Sequence, residues 1–182
     1  LKPQVSSRSP PLRSARAGSS VQSADKPSGR AMARNRLLSE LRTMQKNPDP
    51  QISIEMVGET IENWRAVLVG PSDSPYHGGE FEIKIECSPN YPLSPPTCTF
   101  VTRIFHPNIN FLTGEICLDI LKDGWVPAWT LVDVCRALIV LMNHPNADSP
   151  LNCDAGNLVR SGDLRGFKSM ARMYTVEYAS GK

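Results

Sequence analysis

The sequence predicts an α+β fold with one folded domain. Four short segments with alternating apolar residues follow one another between residues 52 and 102, with only short turns between them. Such a series is typical of an antiparallel meander. Apolar residues at helical spacing precede the four segments and also follow them. The expected order is an N-terminal helix, a four-stranded antiparallel meander, a long irregular segment and C-terminal helices.

The first predicted helix starts at Arg34 and ends before the prolines at 48 and 50. Its apolar residues share one face: Leu37, Leu38, Leu41 and Met44. The four predicted strands lie within residues 52–56, 64–68, 81–87 and 97–102, and glycines between them mark the turns. A second apolar helical face runs through residues 131–142, and residues 163–179 can form a further helix.

Residues 1–31 differ in composition from the rest of the 182-residue chain. They contain eight serines, four prolines and six basic residues against one acidic residue. Such a segment cannot bury enough apolar surface to offset the entropy lost on ordering, so we expect a disordered extension. An organelle targeting signal and an extended translation product are the two alternatives for its origin. The folded domain is then expected over residues 32–182.

The balance of charge and hydropathy excludes two classes of protein. Residues 32–182 contain 14 basic and 17 acidic residues, and a mildly acidic domain is not expected to bind nucleic acid. No apolar run approaches the length of a membrane-spanning helix. The five cysteines form no CxxC pair and the three histidines lack zinc-site spacing, so neither a metal, a cofactor nor a disulfide scaffold is expected.

The irregular segment of residues 103–130 is the first place to look for chemistry, because long loops inside compact domains are uncommon unless they have a function. It contains a single cysteine, Cys117, which is the candidate nucleophile. The alternative is a core thiol between two aliphatic residues. Asn108 could aim an amide N–H at a developing oxyanion, or could be a turn residue that bonds its own backbone. His106 could orient the loop by hydrogen bonding without ever transferring a proton.

The motifs of the second half resemble the active-site signature of ubiquitin-conjugating enzymes. They are His106-Pro107-Asn108 and the segment 114–121 (GEICLDIL), together with Tyr91-Pro92, Pro95-Pro96, Trp125, Pro127-Ala128 and 149–152 (SPLN). The match is collinear from about Arg34 to Tyr178. It implies the ubiquitin-conjugating fold, with residues 103–130 as its active-site loop.

The resemblance also implies an activity and a set of partners. Cys117 would accept ubiquitin from the activating enzyme as a thioester and pass it to a substrate lysine or cysteine, in concert with RING-type ubiquitin ligases. The implied site residues are the catalytic Cys117 and Asn108, the loop-supporting His106 and Pro107, the active-site gate Ser149, and the ligase-binding residues Arg36, Leu93, Pro127 and Ala128. No base lies beside Cys117 in sequence, and the nearest charged residues, Glu115 and Asp119, are acidic, so a modestly reactive thiol that holds its cargo is expected.

Residues 125–131, 149–154 and 156–163 are most similar to the peroxisomal branch of that family. This similarity implies the import receptor for peroxisomal matrix proteins as substrate, a membrane-anchored peroxin as docking partner, and a location at the cytosolic face of the peroxisomal membrane or in the cytoplasm. Leu93, Trp129 and one additional residue between Asn108 and Cys117 depart from the pattern of many family members. These departures put promiscuous use of ligases in doubt.

Two other functions remain open from the sequence. One is a catalytically silent ubiquitin-binding module of the same fold. The other is a cysteine protease, which would need a histidine within hydrogen-bonding distance of Cys117.

Overall fold

The computed structural model describes residues 29–181, so most of the predicted extension lies outside the described residues. The elements in chain order are helix α1 (Gly29–Lys46), strands β1 (Ile52–Met56), β2 (Asn63–Val69), β3 (Glu80–Glu86) and β4 (Thr97–Phe100), a 3-10 turn (Asp119–Leu121), and helices α2 (Leu131–Asn143), α3 (Cys153–Arg160) and α4 (Leu164–Tyr178).

The four strands form one antiparallel sheet in sequence order. Its register places Ile54 opposite Ala66, Ala66 opposite Ile83, and Ile83 opposite Phe100. This row of apolar side chains crosses the sheet on one face because side chains alternate between faces along each strand. Helix α2 packs against β1 and β2. The predicted α+β meander is confirmed.

Helix α2 has the two features that make a helix predictable from its sequence, an N-terminal cap and one apolar face. The side chain of Thr130 accepts a hydrogen bond from the Asp133 backbone, and the Asp133 carboxylate accepts one from the Thr130 backbone, which forms a capping box. All six apolar residues of the predicted face are buried: Leu131, Val134, Cys135, Leu138, Leu141 and Met142. Within residues 29–181 no helix combines the length and the apolar character needed to cross a membrane.

Two features differ from the sequence-based expectation. Helix α1 begins at Gly29, before both the expected helix start at Arg34 and the expected domain boundary at residue 32. Ala33 is buried in this part of α1, and Arg30 forms an ion pair with Glu62 over 3.1 Å. These contacts with the rest of the domain stabilise the first turn of α1. That turn contains too few large apolar residues to show a helical pattern in the sequence.

The second difference is helix α3, which was not recognised as a separate helix. Cys153, expected in a polar loop, is its first residue. The side chain of Asn152 caps the helix by accepting a hydrogen bond from the Ala155 N–H over 3.1 Å. The helix is only eight residues long and contains Gly156, so its apolar periodicity is too short to detect.

Candidate active site

The segment that carries Cys117 is held beside the His106-Pro107-Asn108 segment by backbone pairing. The Cys117 N–H donates to the carbonyl oxygen of Asn108 over 2.8 Å, and Ile109 and Ile116 form an isolated antiparallel bridge. Cys117 is half-buried, unlike the cysteines of the core. The structure therefore brings together the two residues that the resemblance assigned to catalysis.

The turn that joins the two segments depends on Gly114. Its N–H donates to the Asn110 carbonyl, and its own carbonyl accepts from the Phe100 N–H, each over 2.9 Å. Gly114 has a φ of 71°, and a Cβ at this position would lie 2.0 Å from the Phe100 carbonyl oxygen. Only glycine fits this close approach to the edge of β4.

The other cysteines have different environments. Cys87, Cys98 and Cys135 are buried, as expected for small core residues. Burial raises the pKa of Cys87 to about 12, with a further contribution from Glu40 and Glu62, and it also raises the pKa of Cys98. A neutral thiol in the core is a poor nucleophile. Cys153 is exposed, but it lies on α3.

His106 is fully buried and belongs to the scaffold of the loop. Its Nε2 lies 3.0 Å from the Leu141 carbonyl oxygen, and its Nδ1 accepts from the Asn108 N–H over 3.1 Å. These partners require a neutral ring with the proton on Nε2. Burial lowers the pKa of His106 to about 4, against the partial opposing effect of the Leu141 carbonyl. His106 thus fastens the loop to the end of α2 in its uncharged form.

The side chain of Asn108 makes two hydrogen bonds with one residue. Its Nδ2 donates to the Asn146 carbonyl oxygen and its Oδ1 accepts from the Asn146 N–H, each over 2.8 Å. Only 4% of Asn108 is exposed. Pro107 strengthens the same junction, because its carbonyl oxygen accepts from the Leu151 and Asn152 N–H groups. The loop-support role of these residues has a direct structural basis.

Ser149 lies in the segment that bonds to Pro107. It is exposed, between Asn146 and the Leu151 N–H that donates to the Pro107 carbonyl oxygen over 2.8 Å. Its position leaves the hydroxyl accessible at the edge of the junction.

Aromatic packing ties the start of the loop to α4. The rings of Phe105 and Tyr174 stack with centroids 5.6 Å apart, and Phe111 contacts the same tyrosine edge to face at 5.0 Å. The hydroxyl of buried Tyr76 donates to the Phe105 carbonyl oxygen over 2.8 Å. Residues on both sides of His106-Pro107-Asn108 are thus anchored in the domain.

Lys122 is a member of the site that the sequence reasoning missed. Its Nζ lies 3.9 Å from the Cys117 sulfur. In the described part of the chain this amine is the only side-chain group bonded to that sulfur, and no histidine takes the position that a cysteine protease requires. The two residues are five apart in sequence. Their side chains meet because the 3-10 turn between them folds the chain back on itself.

The expected ligase-binding residues lie on segments that are bonded to one another. The indole N–H of Trp125 donates to the Pro92 carbonyl oxygen over 2.7 Å, which joins the loop of Leu93 to the loop of Pro127 and Ala128. Leu93 is 71% exposed, and Pro127 and Ala128 are also exposed. These residues are free for a partner.

Arg36 has a different position from that expected of a freely exposed recognition residue. Its Nη2 donates to the carbonyl oxygens of Trp129 over 2.8 Å and Ala128 over 3.5 Å, and its side chain is 28% exposed. Arg36 therefore holds the loop of residues 125–130 against α1.

Glu40 is a second residue that the sequence reasoning missed. It is 6% exposed, and its carboxylate accepts hydrogen bonds from the Tyr91 hydroxyl over 2.7 Å, from the Leu131 N–H over 2.8 Å and from Arg36. One buried carboxylate thus connects α1, the loop that carries Leu93 and the start of α2. A polar residue at a core-facing helical position, three residues after Leu37, was the only signal in the sequence.

An apolar groove of about 740 Å³ lies along α2. It begins at Leu118, the residue after Cys117, and continues along the exposed face of α2, where Val140 is 58% exposed. Its other lining residues include Trp129, Ala137 and His144.

The sequence and the fold match known proteins over most of the chain. A family model for the ubiquitin-conjugating enzyme matches residues 36–175. The chain is 55% identical over 145 residues to Protein PEROXIN-4 of Arabidopsis thaliana, which covers 79% of this chain and 92% of that protein. It is 52% identical over 144 residues to the ubiquitin-conjugating enzyme E2 pex4 of Dictyostelium discoideum, covering 79% and 97%.

A solved structure supports the same relationship. The E2 domain of a Toxoplasma gondii ubiquitin conjugating enzyme superposes with a TM-score of 0.74 at 36% identity, and the match covers 80% of this chain and 98% of that one. Both the overall sequence and the arrangement of the elements are therefore similar to those of these proteins.

Proposed function

The chain belongs to the ubiquitin-conjugating enzyme family, and on that premise we propose that Cys117 carries ubiquitin as a thioester within a catalytic domain that includes the whole of α1 from Gly29, beyond the span of residues 32–182 expected from the sequence. The enzyme transfers ubiquitin and works with ubiquitin, an activating enzyme and ubiquitin ligases, as the family does. The residues that precede Gly29 form an extension to this domain in our proposal.

One observation carries the assignment of Cys117. Cys117 is a half-buried residue whose backbone is held by the bond from its own N–H to the Asn108 carbonyl, next to a segment that is fixed on both sides. Ubiquitin must reach the sulfur through its extended C-terminus, so the thiol has to be accessible and the loop has to be rigid. The buried Cys87, Cys98 and Cys135 offer no such access.

A charging reaction tests this assignment. The chain is incubated with activating enzyme, ATP and ubiquitin, and an adduct that disappears on reduction is expected for the native protein and for Cys153→Ala. The same adduct should be absent from Cys117→Ala. Cys153 is the matched control because it is the other accessible cysteine of the described residues. An adduct on Cys117→Ala that is lost in Cys153→Ala would overturn the assignment.

We propose that Asn108 both supports the loop and assists the reaction. One N–H of its Nδ2 is bonded to Asn146, and the amide group has a second N–H that can approach an oxyanion formed on the cargo of Cys117. His106 and Pro107 act through the loop, because the His106 ring bonds the Leu141 carbonyl and the Asn108 N–H while the Pro107 carbonyl bonds the segment of residues 151–152. In this proposal Ser149 stands at the rim, where its hydroxyl faces the incoming acceptor.

The groove along α2 suggests where the tethered ubiquitin rests. Its lining includes Leu118, the residue that follows Cys117 in the chain, and consists mainly of apolar side chains, so it suits an apolar surface of the cargo itself. Val140→Glu should leave charging intact and slow discharge. The matched control is Val176→Glu, because Val176 is similarly exposed on α4. Equal discharge rates for the two variants would exclude the groove.

We propose that Leu93, Pro127 and Ala128 form the surface that ligases bind, with Arg36 holding it in place. The two loops are joined by Trp125 and present apolar residues to solvent, which is typical of a protein-binding patch.

The peroxisomal assignment follows from the relatives. The chain shares more than half of its aligned residues with Protein PEROXIN-4 and with the Dictyostelium pex4 enzyme. We infer that this enzyme ubiquitinates the peroxisomal import receptor on lysine or cysteine, that it docks on a membrane-anchored peroxin, and that it acts at the cytosolic face of the peroxisomal membrane.

Affinity capture from cells followed by mass spectrometry tests this assignment. Peroxins should be recovered with the native chain and also with Cys117→Ala, because docking does not need the thiol. Recovery of general ligases without any peroxin would refute the peroxisomal role and leave the ubiquitin-conjugating activity intact.

A further inference from the structure

Glu40 is a charged residue on the face of α1 that packs against the rest of the domain. It lies three residues after Leu37, which is fully buried, and Glu40 itself is buried as well. Removal of a carboxylate from water is unfavourable unless hydrogen bonds replace the lost hydration. A charge at such a position is therefore expected to do more than fill space in the core.

The two carboxylate oxygens of Glu40 bond three different parts of the chain. Oε1 accepts from the Tyr91 hydroxyl over 2.7 Å and from the Nε–H of Arg36, and Oε2 accepts from the Leu131 N–H over 2.8 Å. Among residues 29–181 no buried side-chain nitrogen or oxygen atom lacks a hydrogen-bond partner. The desolvation of this carboxylate is thus compensated by bonds that join separate segments.

The bond to Tyr91 fixes the loop that presents Leu93. Tyr91 is buried, and its ring centroid lies 6.0 Å from that of Trp125. The loop turns at Asn90, whose carbonyl oxygen accepts from the Leu93 N–H over 2.7 Å. The exposed side chain of Leu93 contributes little to holding the loop. The position of Leu93 therefore depends on how Tyr91 is anchored.

The bonds to Leu131 and Arg36 fix the loop of residues 125–130. The Leu131 N–H lies at the end of this loop, where α2 begins. Arg36 bonds Glu40 through Nε and donates from Nη2 to the carbonyl oxygens of residues 128 and 129. Glu40 thus holds both the end of the loop and the guanidinium group that bonds the loop further back.

We propose that Glu40 is the positioning residue of the ligase-binding surface: its carboxylate sets the loop of Leu93 relative to the loop of residues 125–130 and thereby determines the affinity for a RING-type ligase. This inference rests on the ligase-binding role proposed for these loops. With 6% of the residue exposed, Glu40 acts on the ligase through the loops and does not touch it.

Order in the two loops before binding raises the affinity for a ligase. A partner that contacts both loops at once has to immobilise them if they are not already held, and this ordering reduces the free energy gained on association. Once the ligase is bound, it holds the loops itself. Loss of the Glu40 anchor should therefore weaken ligase binding and leave the ligase-bound enzyme as fast as before.

Glu40→Gln preserves the shape of the side chain and breaks the set of bonds. In one orientation the amide NH₂ faces the Leu131 N–H, and in the other it faces the Nε–H of Arg36. A donor faces a donor in both cases, so at least one bond is lost. Tyr91→Phe is the narrower variant, because it removes only the bond to the loop of Leu93.

The experiment separates ligase affinity from the rate of the ligase-bound enzyme. The full chain is charged with activating enzyme, ATP and ubiquitin, and charging is stopped by removal of ATP. Discharge to free lysine is then followed over a titration of a purified RING domain that stimulates the native chain. The half-maximal RING concentration should rise by about three- to tenfold for Glu40→Gln and by a smaller factor for Tyr91→Phe. The rate at saturating RING domain should be retained in both.

Thr175→Val is the control for loss of a buried polar group. The Thr175 side chain is buried in α4, and its hydroxyl donates to the Ala171 carbonyl oxygen over 2.8 Å. Its half-maximal RING concentration should equal that of the native chain. Circular dichroism at the assay temperature checks that each variant is folded.

A second background tests whether Glu40 acts through the loop of Leu93. In Leu93→Ala the side chain that this loop presents is already missing, so Glu40→Gln should raise the half-maximal RING concentration by a smaller factor than it does in the native chain. Equal factors in the two backgrounds would mean that Glu40 does not act by positioning Leu93, which would overturn the proposal.

Failure of the ligase surface and failure of this proposal give different results. A native half-maximal concentration for Leu93→Ala contradicts the proposed ligase surface. A shift for Leu93→Ala without one for Glu40→Gln, or an equal shift for Thr175→Val and Glu40→Gln, overturns the role of Glu40 while the surface stands. A lower saturated rate at a native half-maximal concentration also overturns it, because the carboxylate would then affect the reaction and not the affinity.

Discussion

The backbone N–H of Cys117 donates a hydrogen bond to the carbonyl oxygen of Asn108 over 2.8 Å. The same asparagine bonds Asn146 through its side chain, so a single residue connects the cysteine segment with the segment that precedes α3. Any displacement of Asn108 is therefore transmitted to the sulfur. This coupling links the rigidity of the loop to the chemistry proposed for it.

Asn108→Ala is expected to slow discharge more than charging. It removes the side-chain bonds to Asn146 and the N–H available to an oxyanion, and loss of one oxyanion donor costs about 10²-fold or more in rate. Charging and single-turnover discharge to free lysine are measured on the same preparation. If both steps fall by the same factor, Asn108 has a structural role only.

The stability of the domain should depend on the protonation of His106. Its pKa is about 4 in the folded protein against 6.5 in an unfolded chain, so the unfolded state binds more protons between these values. The contribution of His106 to the free energy of unfolding is therefore fully present above about pH 6.5 and is lost as the pH falls towards 4. This loss amounts to about 3 kcal/mol.

Urea unfolding at about pH 7.5 and about pH 5 measures the effect. His106→Gln cannot titrate, and its free energy of unfolding should change less between the two pH values than that of the native protein. His77→Gln, at an exposed histidine, should retain the native pH dependence. A native-like pH dependence in His106→Gln would show that other groups account for the loss.

The parts of this structure that depend on local pattern could be predicted from the sequence. The strands and the buried face of α2 follow from apolar periods of two and 3.6, which depend only on neighbouring residues. Cys87 and Cys135 were correctly placed in the core on the same basis. The His106-Pro107-Asn108 motif located the loop because its residue types are specific.

The missed features depend on contacts between distant parts of the chain. Glu40 meets Tyr91 and Leu131, which are 51 and 91 residues away, and no local pattern encodes such a meeting. Lys122 reaches Cys117 only because the chain folds back through the 3-10 turn. A short helix such as α3 gains its stability from packing and from the cap at Asn152, so its own sequence was uninformative.

Gly114→Ala should destabilise the domain and disturb the cysteine segment. A methyl group there would overlap the Phe100 carbonyl and would also occupy a left-handed backbone conformation, so we expect a loss of more than about 2 kcal/mol. Gly58 has a similar φ of 73° but no atom within 4 Å of an added Cβ. Gly58→Ala is therefore the matched control, with an expected cost of about 1 kcal/mol from the backbone alone.

Denaturant unfolding gives the two free energies, and the charging rate reports on the cysteine. Similar losses of stability for the two glycine variants would mean that the structure relaxes around residue 114. A normal charging rate in a destabilised Gly114→Ala would mean that the turn does not position Cys117.

Glu40 and Tyr91 should be energetically coupled. Hydrogen bonds to a buried carboxylate contribute about 1.5–3 kcal/mol, and Glu40→Gln weakens all three that this side chain accepts. The free energies of unfolding of Glu40→Gln, Tyr91→Phe and the double variant form a cycle with an expected coupling of about 1–3 kcal/mol. Additive losses would show that the bond between them contributes little.

Leu93→Ala should impair the action of a ligase without affecting the enzyme alone. With 71% of the residue exposed, its side chain makes little contribution to the core, so stability and charging should remain native. Truncation of an apolar anchor at an interface costs more than about 1 kcal/mol, which corresponds to binding of the ligase that is weaker by about fivefold or more.

Leu164→Ala provides the comparison, because Leu164 is an exposed leucine of α4, away from the joined loops. Ligase-stimulated discharge is titrated for both variants beside ligase-free discharge. The half-maximal ligase concentration should rise for Leu93→Ala alone. Of the two leucines, only Leu93 lies on the loop whose Pro92 carbonyl bonds Trp125 and whose Tyr91 hydroxyl bonds Glu40. An equal rise for both variants would place the ligase elsewhere, and an unchanged value for Leu93→Ala would remove this leucine from the interface.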